Sequence, residues 1–259
     1  MLDSKFLLTT GWNGDAVSKS EILDLTKEGG NQCPNWIDYP LDVYGATGSL
    51  FENTPLICGG YDSNHHQSSN LCYTVIGQTA TVYANMTERR VCAASTVVQL
   101  HSYYGLLLWI GGGYDTSPDN VLASSEYVTN EGTVSGPSFP ISLYGHAMES
   151  ITYSLTWIVG GVNNGIVTSL TYRFDHVEQQ WMDGPDLIQG RYAHAACIIV
   201  DELTDETLLL VSGGKKAQGN ETSVLDSTEI LLDNKWVSGN FFIASKVIFF
   251  FSIVVMYFL

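Results

Sequence analysis

Histidine and cysteine are the residue types in this chain best suited to acid–base, nucleophilic or metal chemistry, with six and five copies. No GxSxG nucleophile motif, glycine-rich phosphate loop or CxxC pair accompanies them. His65 and His66 are adjacent in one polar segment, which is typical of solvated side chains. His146 and His194 occupy equivalent places in two similar segments, which favours packing over metal binding. The sequence therefore predicts no catalytic residue, no metal site and no cofactor.

Two of the cysteines are spaced so that they can face each other. Cys58 stands just before a diglycine, and Cys72 begins the next β-like run. If the two runs form a hairpin, a disulfide between them closes a short loop and contributes about 3 kcal/mol. The alternative is a pair of buried thiols. Cys33, Cys92 and Cys197 have no evident partner in the sequence.

Charge excludes one class of partner. The chain has 27 acidic and 11 basic residues and a formal net charge of −16. Such a chain repels phosphate backbones, so we expect no nucleic-acid binding. The adjacent cations are Arg89 with Arg90 and Lys215 with Lys216, and we interpret both pairs as loop residues.

A diglycine that closes a short apolar run marks the elements that would position any site. The copies are Gly59-Gly60, Gly112-Gly113, Gly160-Gly161 and Gly213-Gly214, after a degenerate first copy that ends at Gly11. From Gly11 to the last glycine of each pair, the successive steps are 49, 53, 48 and 53 residues. A fixed period in this range is the sequence sign of a repeat architecture.

Each period contains short runs rich in Val, Ile, Thr and aromatic residues, separated by Gly, Pro, Asn and Asp. This composition predicts about four short strands per period. A tryptophan stands in the last run of several periods, at Trp36, Trp181 and Trp236. One small antiparallel sheet cannot bury both of its faces, whereas sheets stacked around an axis can.

Each of the later periods also starts with a Tyr-Gly pair or an arginine, at Tyr44-Gly45, Arg90, Tyr144-Gly145 and Arg191. The diglycines, these starts and the tryptophan exits together resemble the Kelch-repeat β-propeller family, from Lys5 to Trp236. The resemblance implies an all-β propeller of about five four-stranded blades over residues 5–239, or an incomplete six-bladed ring. It also implies that the glycines and tryptophans are scaffold.

The apolar segment that follows, residues 240–259, has three open interpretations. Phe241–Leu259 is long enough to span a bilayer as a helix, which makes membrane association a prediction. The segment is alternatively read-through in place of further repeats, or a strand that pairs with the first blade. Asn85 and Asn220 stand in N-glycosylation sequons, which matter only in the secretory pathway. We favour an extracellular or membrane-associated protein over a cytoplasmic one.

The variable loops after the diglycines are the expected contact surface. The resemblance implies that such loops cluster on propeller faces and bind a protein or peptide. The candidate contact residues are Trp12, Tyr61, Asp62, His65, His66, Arg90, Tyr114, Asp115, Asn163, Asn164, Arg191, Lys215 and Lys216.

We therefore expect a non-catalytic interaction scaffold rather than an enzyme. The first alternative is an intracellular substrate adaptor of the ubiquitin-ligase type. The second is a propeller enzyme that resembles galactose oxidase or a lyase, although its copper ligands have no matching positions here.

Overall fold

A computed structural model describes most of the chain. The described residues are 5–12, 15–24, 37–52, 54–76, 79–100, 105–152, 154–201, 206–218, 221–238 and 248–250. They form only β-strands and loops, and they include no helix long and apolar enough to cross a membrane. We number the repeats one to five by their diglycines.

Repeats one and two share one antiparallel sheet. Its strands are β1 (Lys5–Trp12), β2 (Ala16–Asp24), β3 (Val43–Phe51), β4 (Thr54–Asp62), β5 (Gln67–Ser68), β6 (Leu71–Ile76) and β7 (Thr79–Asn85). Their order is β1-β2-β3-β4-β6-β7, and β5 pairs with β4. The ladder between β2 and β3, which joins the two repeats in this sheet, consists of a single residue pair, Val17 with Val43. Cys58 and Cys72 face each other across β4 and β6 and form a disulfide, which confirms that prediction.

Repeats three and four each form a four-stranded sheet. Repeat three contains β8 (Ala94–Val98), β9 (Leu107–Gly111), β10 (Ser125–Thr129) and β11 (Gly132–Ser135). Repeat four contains β12 (Ala147–Thr152), β13 (Leu155–Val159), β14 (Val162–Asn163), β15 (Ile166–Val167), β16 (Thr171–Asp175) and β17 (Gln180–Asp183). β14 and β15 form a separate small hairpin in the loop between β13 and β16.

Repeat five has the same plan with one added strand. Its strands are β18 (Ala195–Asp201), β19 (Glu206–Ser212), β20 (Lys215–Gln218), β21 (Glu221–Val224), β22 (Thr228–Leu232) and β23 (Lys235–Ser238). β20 and β21 form the loop hairpin. β24 (Ile248–Phe250) pairs with β18, so these three tail residues join the fifth repeat and not the first. The rest of the apolar tail lies outside the described residues.

The first strands of repeats two to five lie side by side. β3, β8, β12 and β18 are successive neighbours. A row of backbone hydrogen bonds links the residues just before these strands, which we call their entrances. The Cys92 amide donates to the Gly45 carbonyl over 2.8 Å and the Gly145 amide to the Cys92 carbonyl over 2.8 Å. The Ala193 amide donates to the Gly145 carbonyl over 2.7 Å. All four residues have positive φ, from +51° to +69°. The first strands of these four repeats are therefore linked in one row by equivalent backbone contacts.

The apolar cores lie between neighbouring sheets. Trp109, which is fully buried, packs with Phe174 and Trp181 of the next repeat. The Trp181 indole donates to the Ser138 carbonyl, and the Trp236 indole donates to the Pro185 carbonyl. Both tryptophans thus join one repeat to the preceding one. Trp36 lies outside the described residues.

The diglycines make close backbone contacts that side chains would prevent. Gly160 has φ +61°, and a Cβ there would lie 2.5 Å from the Arg191 carbonyl oxygen. The amide of the next glycine, Gly161, donates to that same carbonyl over 2.8 Å. In the degenerate first copy, Thr10 keeps the positive φ of +61°. The glycines therefore allow each repeat to pack closely against the backbone corner that leads into the next repeat, such as the one at Arg191.

Candidate binding face

A group of eight side chains, most of them aromatic, lies where the chain enters the first strands of repeats two to five. At each entrance, one residue comes just before the positive-φ residue of the hydrogen-bonded row described above. It pairs with the residue that follows the diglycine of the same repeat. The eight positions are Tyr44 with Tyr61, Val91 with Tyr114, Tyr144 with Val162, and Tyr192 with Lys215. We call these eight residues the collar. Five of them are tyrosines, and Lys215 is the only charged one.

The collar tyrosines contact one another around Cys92. The rings of Tyr44 and Tyr61 lie 5.3 Å apart, as do those of Tyr114 and Tyr144. Tyr114 hydrogen-bonds to both Tyr44 and Cys92. Residues from repeats two, three and four therefore meet at one place, although 100 residues separate Tyr44 from Tyr144 in the sequence.

Three collar phenols, those of Tyr44, Tyr114 and Tyr144, stay neutral over the physiological pH range because their pKa values are raised. Burial is the main cause that raises the pKa of Tyr44, Tyr114 and Tyr144 above that of a free tyrosine, and the neighbouring Cys92 raises it further. Tyr114 is almost fully buried, whereas Tyr44, Tyr144 and Tyr192 are half-buried. The half-buried rings offer apolar surface with hydroxyl groups that donate and accept hydrogen bonds.

The loops outside the collar are held by their own polar contacts. Asp62 accepts the amides of Asn64 and His65 and lies 2.6 Å from the His65 ring nitrogen Nδ1. The Ser68 hydroxyl donates to Asp115, which connects the loops of repeats two and three. These contacts therefore fix the loops of repeats two and three to each other, and we call the loops outside the collar the rim.

A similar bond holds the loop of repeat four, where the Asn163 side chain donates to the Ser142 carbonyl over 2.8 Å. The hairpins of repeats four and five are also neighbours, because β15 contacts β20.

The predicted contact residues differ in how far their side chains are exposed to solvent. His65, His66 and Asn164 are exposed, and Tyr61, Asp115, Asn163, Lys215 and Lys216 are partly exposed. Asp62 and Tyr114 are buried and support the face from beneath. The side chain of Trp12 lies outside what the structure describes.

Two predicted contact residues, Arg90 and Arg191, require correction because both are buried, with exposed fractions of 1% and 0%. The Arg90 guanidinium donates to the carbonyls of Gly112 and Ser124, both at 2.9 Å, and to Glu126 at 3.1 Å. Side chains so enclosed within the protein are inaccessible to a partner.

Arg191 repeats this arrangement. It donates to the carbonyls of Gly213 and Ser227 and to the Glu229 carboxylate, at 2.9, 3.0 and 2.7 Å. Each glutamate also accepts two backbone amides from the corner before its arginine, namely Thr87 and Glu88 for Glu126, and Ile188 and Gln189 for Glu229. The two ion pairs are therefore internal clamps of repeats three and five.

These clamps can be seen in the sequence when the repeats are aligned, because three positions change together. Repeats two and four replace the arginine by Val43 or Leu143 and the glutamate by Tyr73 or Tyr172. They also place Pro40 or Pro140 where the clamped repeats have Thr87 or Ile188. Proline has no amide hydrogen, so one of the two amides that the carboxylate would accept is absent in the repeats without the carboxylate. The three positions change together, which marks them as one unit.

His146 and His194 pack beside the diglycines, as the packing interpretation predicted. A Cβ on Gly112 would lie 2.6 Å from the His146 ring, and a Cβ on Gly160 would lie 3.0 Å from the His194 ring. Burial lowers the pKa of each imidazole to about 3. His176, for which the sequence indicated no role, is buried, and its ring nitrogen Nε2 lies 2.9 Å from the Thr156 hydroxyl. Within the described ranges, no three His, Cys, Asp or Glu side chains are grouped to hold a metal ion.

One glycosylation sequon is accessible. Asn85 is exposed at the end of β7, followed by buried Met86 and exposed Thr87. Asn220 lies outside the described residues.

Comparisons with known proteins support the fold and leave the ligand open. No protein-family model matches the chain, and no curated protein matches it. Among solved structures, that of YjhT superposes with a TM-score of 0.72 over 88% of this chain and 82% of YjhT, at 12% sequence identity. At this identity the likeness carries the fold alone. The chain has an all-β, propeller-like fold.

Proposed function

We propose that the chain is a Kelch-type β-propeller of about five blades that binds a protein or peptide ligand, without catalysis, on its collar face. The observation that carries this proposal is the collar itself, to which each of repeats two to five contributes at least one tyrosine. Tyrosine is enriched in the energetic centres of protein interfaces, because its ring buries a large area while its hydroxyl remains hydrogen-bonded. The collar supplies such a centre and the polar loops supply its rim.

Rigidity supports the same proposal. The loop contacts of Asp62, Asp115 and Asn163 fix the rim before any ligand arrives. A preorganised surface loses little conformational freedom on binding.

The disulfide supports a protein of the secretory pathway. Bonds such as Cys58–Cys72 persist in oxidising compartments and are rare in the cytosol. Exposed Asn85 is consistent with this location. We therefore place the cytosolic ubiquitin-ligase adaptor second among the binding functions.

The binding proposal is tested with a displayed library of random linear peptides selected on the purified chain. We expect enriched peptides that bind with micromolar affinity. Tyr144→Ala and Tyr192→Ala should each weaken that binding about tenfold, since truncating an interface centre costs more than about 1 kcal/mol. Val177→Ala, an exposed change in the β16–β17 turn, is the matched control. If no peptide is enriched, or if the tyrosine variants bind as the control does, the proposal fails.

A further inference from the structure

The loop hairpin of repeat five extends from the collar and ends in an exposed strand. β20 and β21 have four residues each and pair with one another, whereas β14 and β15 of repeat four have two residues each. All four residues of β21 are exposed, and β20 is its only strand partner in the part of the chain that the structure describes. The outer side of β21 is therefore an accessible strand edge. It begins at the collar, because Val224 pairs with Lys215.

The hydrogen bonds of Lys215 show which backbone groups lie on this edge. Its amide donates to the Tyr192 carbonyl over 2.9 Å, and its carbonyl accepts the Tyr192 amide over 3.0 Å. Lys215 therefore has no backbone group directed at Val224, its partner in the ladder with β21. Hydrogen-bonded and non-hydrogen-bonded pairs alternate along antiparallel strands. The amides and carbonyls of Thr222 and Val224 therefore point away from β20, and those of Ser223 point toward it.

Repeat four differs at the equivalent edge. Val162 exchanges the same two hydrogen bonds with Tyr144, over 2.9 and 3.2 Å, so β15 also has its free side facing outward. On that side, β20 of repeat five lies alongside β15. Among the described residues no hairpin takes this place beside β21. The row of loop hairpins thus ends in unpaired backbone donors and acceptors, which are a template for one more strand.

Apolar and positively charged side chains accompany the edge. Val224 and Ile166, on the hairpins of repeats five and four, are the most exposed large apolar side chains that the structure describes, at 73% and 71%. Lys215 and Lys216 on β20 form no ion pair with any described residue, although the chain has 27 acidic and 11 basic residues. Glu221 stands at the end of β21 away from the collar. The collar end of the edge is therefore apolar and cationic.

We propose that the peptide ligand binds as an additional strand on the outer edge of β21, with an apolar residue beside Val224 and an acidic residue toward Lys215 and Lys216. This binding mode rests on the proposed function and specifies its partner as an extended segment. Backbone hydrogen bonds to Thr222 and Val224 supply affinity, and the side chains at the collar end supply selectivity. A four-residue edge suits a peptide, because stable pairs of folded proteins bury roughly 800 Å² per partner.

A proline substitution separates backbone pairing from side-chain contacts. The chain is made in a host without N-glycosylation, because the sequon at Asn220 directly precedes β21. Thr222→Pro removes an amide that points outward, so the hairpin keeps its own hydrogen bonds. It should weaken binding of the peptides selected from the displayed library about tenfold. Thr222→Ala changes the same side chain but keeps the amide, and this matched control should bind as the wild type does.

The charge at the collar end has a separate test. The selected peptides should be enriched in acidic residues. The double change Lys215→Gln and Lys216→Gln should weaken their binding about fivefold at low ionic strength and less at high ionic strength. Lys235→Gln, which removes an exposed lysine on β23, is the matched control and should leave binding unchanged.

Amide exchange in the wild-type chain provides a readout that needs no variant. The Thr222 and Val224 amides should exchange fast in the free chain and about tenfold more slowly with a selected peptide bound. The Ser223 amide, which is directed at β20, should change little.

Three results would each overturn this binding mode: unchanged exchange at Thr222 and Val224, equal binding by Thr222→Pro and Thr222→Ala, or selected peptides without acidic enrichment. If such peptides still lose affinity with Tyr192→Ala, binding at the collar stands and only the strand pairing fails. If no peptide is enriched at all, both proposals fail.

Discussion

At the residue scale, two clamps account for side chains that would otherwise be costly to bury. Arg90 and Arg191 each satisfy carbonyls at the end of the second strand and a carboxylate on the third. A buried ion pair adds little to the net free energy of unfolding, but loss of one partner leaves an isolated buried charge, which is strongly destabilising.

Arg90→Met should therefore lower the free energy of unfolding by about 3–5 kcal/mol, because Glu126 loses its partner. Arg89→Met is the neighbouring control, with an exposed side chain, and should change stability by less than about 0.5 kcal/mol. Denaturant unfolding measures both. Equal effects from the two variants would contradict the clamp.

The residues that replace the clamp in repeats two and four provide a second prediction. The triple change Thr87→Pro, Arg90→Leu and Glu126→Tyr copies the residues of repeat four, so neither a buried charge nor the Thr87 amide is left unsatisfied. It should unfold at higher denaturant concentration than Arg90→Met alone. A triple variant less stable than Arg90→Met would show that the three positions do not act as a unit.

The buried histidines make stability depend on pH. The folded-state pKa of His146 is about 3, against 6.5 for an unperturbed histidine, because burial disfavours its charged form. Between pH 6.5 and 3, His146 is therefore protonated in the unfolded chain and neutral in the folded chain. The free energy of unfolding falls as the pH decreases through this range.

His146→Leu should reduce the loss of unfolding free energy between pH 6.5 and 4.5 by about 2 kcal/mol relative to wild type. His66→Leu, an exposed change, should leave the loss as in the wild type. The two are compared by urea titrations at a series of pH values, and a His146→Leu profile parallel to wild type would refute the assignment.

At the element scale, the disulfide occupies a position that other repeats fill differently. Cys58 and Cys72 correspond to Gly111 with Ser125 in repeat three and to Val159 with Thr171 in repeat four, by the pairing of their strands. The bond therefore adds a covalent link to a pairing that the fold already makes elsewhere by hydrogen bonds and packing.

The double change Cys58→Val and Cys72→Thr should lower the free energy of unfolding by about 2–4 kcal/mol while the fold is kept. A reducing agent should destabilise the wild type by a similar amount and leave the double variant unchanged. A wild type insensitive to reductant would mean that the bond contributes nothing.

The sequence predicted the strands, the diglycine turns and the disulfide because each depends on local composition or on neighbouring runs. It did not predict the partnership of Arg90 with Glu126, which are 36 residues apart and meet only when the repeat folds back on itself. The collar was found only in part. Tyr61 and Tyr114 follow diglycines and were proposed as contacts, but Tyr44, Tyr144 and Tyr192 join them through strand pairing.

At the scale of the whole molecule, the repeats bring five tyrosine side chains and one lysine together on the collar face. A repeat scaffold permits this because each sheet contacts only its neighbours, so loops and outer strands vary without loss of the core.

Hydrogen exchange of the wild-type chain with and without a peptide selected from the displayed library tests the collar most directly. We expect slower amide exchange in the loops that carry Tyr61, Tyr114, Val162 and Lys215, with β7 unchanged. Protection confined to β7, or spread evenly over the chain, would contradict the collar as the binding site.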